Sequence, residues 1–115
     1  MKHGDIVLIE HQPTANDMPK PCPALVISSD RYNAREADRI LIPFSSNTTR
    51  CCPDDILIER NDTCFPATGL HCSSVIRVGK ILTMHKSKIK RLLGHPPNSM
   101  MDRVKIQIKL TFNIN

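Results

Sequence analysis

The apolar residues of this chain fall into short runs separated by polar and turn-forming clusters. Ile6-Val7-Leu8-Ile9, Ala24-Leu25-Val26-Ile27, Ile40-Leu41-Ile42 and Ile56-Leu57-Ile58 are the first four. Val75-Ile76-Arg77-Val78 and Ile81-Leu82-Thr83-Met84 follow, divided by Gly79. The runs are rich in β-branched residues and too short for good helices, so each predicts a strand. Closely spaced short strands with Pro, Gly, Asn, Asp and Ser between them predict a small barrel or sandwich. The longer connections are Gln12 to Pro23, stiffened by Pro13, Pro19, Pro21 and Pro23, then Asn47 to Asp55 and Asn61 to Ser73. Gly69 predicts a sharp bend, and Asp30 to Asp38 has room for one helical turn.

Two periodicities compete at the C-terminus. Ile106, Ile108, Leu110, Phe112 and Ile114 alternate with polar residues, a strand pattern. Met101, Val104 and Ile108 sit at helical spacing, and Ser99-Met100-Met101-Asp102 has the form of a capping box. As a helix, the segment carries a second apolar stripe of Ile106, Leu110 and Ile114, which needs something further to pack on.

Composition narrows the function. The 115 residues suit one domain, residues 1–115, with one core. Aromatic residues make up 3% of the chain, which argues against a stacking platform for single-stranded nucleic acid. The net charge of +5 favours a polyanion, RNA or DNA, or an acidic protein partner. The start of the chain shows no signal-peptide pattern, and no apolar run approaches the ~20 residues of a membrane helix. A cytoplasmic protein with no membrane partner is expected, its five cysteines free thiols. Cys51, Cys52, Cys64, His71 and Cys72 lack the spacing of a zinc knuckle, so no metal and no cofactor are expected.

An ordered set of short segments carries a family resemblance over Gly4 to about Leu110. It comprises Gly4-Asp5-Ile6-Val7, Pro13-Thr14-Ala15, Pro23 to Ser28, Ile42-Pro43-Phe44-Ser45-Ser46, Ser74-Val75-Ile76-Arg77 and Ile81-Leu82-Thr83. Together they resemble the landmarks of the MazF/PemK (Kid) toxins of bacterial toxin–antitoxin pairs. The resemblance implies a mainly β fold, an SH3-like CcdB/MazF-type small barrel closed by a C-terminal helix from about Asn98. It implies a homodimer that cuts single-stranded RNA without a metal, leaving 2′,3′-cyclic phosphate and 5′-hydroxyl ends. It also implies a cognate antitoxin protein.

The same resemblance nominates site residues. Arg77 matches a family arginine suited to bidentate phosphate contact. Ser45 matches a threonine near the scissile phosphate, and Ser46 its small neighbour. Asp17 falls where the Kid branch has a loop histidine used in acid–base work. Lys86, Lys88 and Lys90 alternate, so on a strand they would form one phosphate-tracking face. The chain departs from the family at two places: Cys22 stands for the arginine before the Pro-Ala-Leu-Val strand, and Gly79 for an aspartate. Lys20 could replace part of the lost charge as a point cation. Three functions therefore compete: a ribonuclease toxin weakened at Cys22; a non-catalytic module binding nucleic acid or antitoxin; and a CcdB-like gyrase-binding toxin.

Overall fold

The computed structural model describes residues 1–12 and 14–115. Among these residues seven strands form in chain order: β1 (Ile6–His11), β2 (Lys20–Val26), β3 (Asp38–Ser45), β4 (Ile56–Ile58), β5 (Ser74–Ile76), β6 (Leu82–His85) and β7 (Ile89–Gly94). Helices α1 (Asp30–Arg35), α2 (Phe65–Thr68) and α3 (Asn98–Thr111) interrupt and close the chain. Every strand pairing is antiparallel, in the order β4-β5-β3-β2-β1-β7, with β6 on the same edge of β3 as β5. This is the mainly β architecture with a C-terminal helix that the apolar runs and the resemblance implied.

The sheet buries both faces. Ile6, Leu25, Ile42, Ile58 and Ile76 pack on one side against Met100, Met101 and Val104 of α3. Val7, Ile9, Ala24, Val26 and Leu41 form a second cluster on the other side. Strands buried on both faces read as continuous apolar runs, which is why β1 to β3 were plain in the sequence.

Three elements differ from expectation. Strand β2 begins at Lys20, so Pro21 and Pro23 are strand residues rather than part of the first loop. Strand β7 was not foreseen as an apolar run. Its pairing with β1 shifts register twice, between Ile6 and Val7 and between Leu8 and Ile9, and irregular pairing of this kind breaks a period of two. Helix α3 starts at Asn98 with Pro97 before it and no side-chain cap, so Ser99 lies inside the helix and the capping box does not form. Helix wins over strand because Met100, Met101 and Val104 are thereby buried against the sheet, with Ile108 beside them. The opposite stripe is left bare: Ile106 is 59% and Leu110 68% exposed.

Gly69 and Gly94 make the α2–β7 contact possible. Gly69 has φ +72°, and a Cβ there would collide with the Leu93 carbonyl. A Cβ on Gly94 would strike the Ala67 carbonyl in return. Among the described residues, no helix is long and apolar enough to cross a membrane.

Candidate nucleic-acid interface and active site

Prolines open the site. The Val26 amide donates to the Asp5 carbonyl at 2.9 Å, so even-numbered β2 amides face β1 and odd-numbered positions face β3. Pairing with β3 runs through Ala24, Leu25 and Val26. The next amide needed would come from Pro23, to the Phe44 carbonyl, and then from Pro21; proline has none to give. The strands part there, leaving a cleft of about 860 Å³ between Lys20–Pro23 and Pro43–Asn47.

The Phe44 carbonyl finds another donor. Cys22 Sγ–H reaches it at 3.1 Å from a buried position. Burial pushes the Cys22 thiol above its ordinary pKa, and the Phe44 backbone hydrogen bond and the nearby Lys20 charge offset this only in part. At neutral pH Cys22 is therefore a neutral donor filling a gap in the ladder. It supplies no charge to the cleft.

The cleft nonetheless is strongly cationic. Lys20, Arg50, Arg77 and Lys80 line it, and no Asp or Glu does so among the described residues. Arg77 follows β5, its amide donating to the Pro43 carbonyl at 3.2 Å. Its Nη1 donates to Asp55 Oδ2 at 2.9 Å, with the side chains 19% and 8% exposed. The same Asp55 Oδ2 also accepts the Cys52 amide at 3.1 Å. The ion pair fixes one edge of a guanidinium that has five N–H donors, leaving others for a phosphate.

Other nominated residues fall on both sides of this boundary. Ser45 and Ser46 line the cleft at the end of β3, and Ser45 Oγ also accepts the Asn47 amide at 3.2 Å, shaping the turn. Asp17 lies outside the cleft lining; in an exposed turn it accepts Thr14 Oγ1 at 3.0 Å. Pro13, at the start of that loop, is outside the described residues, whereas Thr14 lines the cleft. The single-strand stripe of Lys86, Lys88 and Lys90 does not form. Lys86 and Lys88 belong to a 3-10 turn, and only Lys90 is on β7, 3.7 Å from Glu10. None of the three lines the cleft. Gly79 does line it, on a 3-10 turn, with nothing within 4 Å of where a Cβ would stand.

Sequence reasoning missed Arg50, Lys80, His11 and His71 as cleft residues. Arg50 was visible as the one cation of the Asn47 to Asp55 loop. The histidines carried no signal, because their position depends on how β1 and the α2–β5 connection meet the cleft.

The family model for the PemK-like, MazF-like toxin of type II toxin–antitoxin systems matches residues 2–112. The chain belongs to this family. It is 33% identical over 94 residues to endoribonuclease MazF6 of Mycobacterium tuberculosis, covering 80% of this chain and 78% of the relative. A probable endoribonuclease MazF of Mycolicibacterium smegmatis is 32% identical over 84 residues, covering 73% and 72%. The fold matches a mycobacterial endoribonuclease solved in complex with its cognate antitoxin, with a TM-score of 0.78 at 15% identity over 100% of this chain and 97% of that one. It also matches a MazE–MazF structure from Deinococcus radiodurans, with a TM-score of 0.77 at 17% identity and the same coverage. Membership of the PemK/MazF family, with relatives named as endoribonucleases, sets the gyrase-binding alternative aside.

Proposed function

We propose that residues 1–115 form one toxin domain that cleaves single-stranded RNA without a metal, in the cytoplasm, under control of a cognate antitoxin. The observation that carries this reading is the proline-opened cleft, lined by four cations and, among the described residues, by no carboxylate, with only Arg77 paired, to Asp55 behind the lining. Such a lining favours a polyanionic backbone over any neutral or cationic ligand. RNA brings its own nucleophile, the ribose 2′-hydroxyl, so no Ser or Cys nucleophile is needed. Arg77 would hold the scissile phosphate with the N–H groups that Asp55 leaves free, and Ser45 and Ser46 would donate to its oxygens. Attack gives a 2′,3′-cyclic phosphate and expels a 5′-hydroxyl.

The bare α3 stripe supports a homodimer, since a face carrying Ile106 and Leu110 so exposed is costly in water. The non-catalytic reading keeps one specific support: Cys22 is a buried neutral thiol where the family has arginine. Incubating mixed-sequence single-stranded RNA with the protein in EDTA separates the two. Cleavage with cyclic-phosphate ends, lost in Arg77→Ala that is still folded, supports the ribonuclease. Tight, salt-sensitive binding with no new ends would leave a binding module.

A further inference from the structure

We propose that His11 and His71 are the acid–base pair of the cleft, an assignment that rests on the ribonuclease reading above. Cleavage needs a group to take the 2′-hydroxyl proton and a group to protonate the leaving 5′-oxygen. The cleft lining has no carboxylate, and Asp17 lies outside it. Arg50, Arg77, Lys20 and Lys80 are cations suited to holding charge rather than exchanging protons at neutrality. Cys22 is committed to the Phe44 carbonyl as a neutral donor. Imidazole both gives and takes protons near neutrality, and two imidazoles line this one cleft.

The two rings reach it from different elements. His11 ends β1, opposite Lys20 on β2. His71 lies between α2 and β5, next to Cys72. Neither ring forms a hydrogen bond or ion pair with the rest of the protein among the described residues, whereas His3, His85 and His95 each engage a neighbour. In the reaction one neutral imidazole takes the 2′-hydroxyl proton as the O2′–P bond forms. The other, as imidazolium, gives its proton to O5′ as the P–O5′ bond breaks. Each ring ends in the other's starting state, so no further reactant is needed.

The test uses the full chain, with His11→Gln, His71→Gln and a control, His85→Gln. The cut is first mapped on mixed-sequence RNA, and rates are then measured against pH on an oligonucleotide spanning it. Each cleft variant should lose about 10²–10⁴-fold in kcat with a small change in KM, and His85→Gln should match the parent. The parent should show a bell-shaped profile, with one limb missing in each variant. The variant lacking the acid should recover on the same oligonucleotide carrying a bridging 5′-sulfur, a leaving group that needs no proton. The variant lacking the base should not. Cleavage by both variants within about threefold of the parent, with unchanged profiles, overturns the assignment and leaves the ribonuclease reading standing. A parent that cuts nothing at any pH removes the ribonuclease reading and the assignment together.

Discussion

Replacing Arg77 by Ala should destabilise the protein as well as disarm it. Nη1 lies 2.9 Å from Asp55 Oδ2, and only 19% and 8% of the two side chains are exposed. With charge centres about 4 Å apart and an effective dielectric of about 20, their attraction is ~4 kcal/mol. Desolvating both ions cancels most of that, so the intact pair adds little net stability. Removing Arg77 alone is different. It forfeits the attraction and keeps the cost of burying Asp55, whose remaining partner is the Cys52 amide. The expected loss is ~3 kcal/mol, or a Tm lower by roughly 10 °C in a domain of this size. The pair Asp55→Asn with Arg77→Ala removes the buried charge together with its partner. It should recover most of the Tm while leaving RNA uncut. Calorimetric melts of the parent, both single variants and the double variant give the coupling directly, with cleavage assayed below the lowest Tm. An Arg77→Ala protein melting within about 2 °C of the parent would refute the reasoning, because the carboxylate would then be hydrated rather than buried.

Three further outcomes are expected. Cys22→Arg can replace the thiol as donor to the Phe44 carbonyl and add a cation to the cleft, so cleavage should rise about 10²-fold; a folded variant with unchanged rate would show that the missing arginine is not the limiting part. Lys20→Ala and Arg50→Ala should each flatten the dependence of log affinity on log salt by about 0.7 for single-stranded RNA, and an unchanged slope would place the backbone elsewhere. Iodoacetamide at about pH 8 should label Cys51, Cys52 and Cys72 and spare buried Cys22 in the native protein. Because burial raises the Cys22 pKa, its contribution is complete below the unfolded thiol's value of ~8.5 and is lost as pH rises through the folded one. The alkaline fall in Tm should therefore be shallower in Cys22→Ala, and an identical fall would contradict the burial argument.

Much of the barrel was legible because β1, β2 and β3 are buried on both faces and leave unbroken apolar runs. β7 was harder: Lys90, Arg91 and Leu92 are all exposed, and its bulged pairing with β1 erases alternation. Arg77, Ser45 and Ser46 were nominated because their motifs align with the family, and Lys20 for its place two residues before Cys22; all four line the cleft. Asp17 was nominated from a loop position alone, which carries no information about where its turn closes, and it lies outside the cleft lining. Lys86, Lys88 and Lys90 suggested a face only under the assumption of one continuous strand, and a 3-10 turn at Lys86–Lys88 breaks that assumption. His11 and His71 are separated by sixty positions and share no pattern, so only the folded chain shows that they line one cleft.

Pro21 and Pro23 have a thermodynamic consequence for any ligand. Were they ordinary residues, β2 and β3 could zip further, and an incoming chain would have to break ladder bonds worth about 1 kcal/mol each to enter. A two-residue slide setting Pro23 opposite Ile42 would orphan the Ile42 carbonyl, so the strands cannot gain by closing in another alignment either. The cleft is thus paid for once, during folding, and an RNA strand meets a vacancy that costs nothing to open.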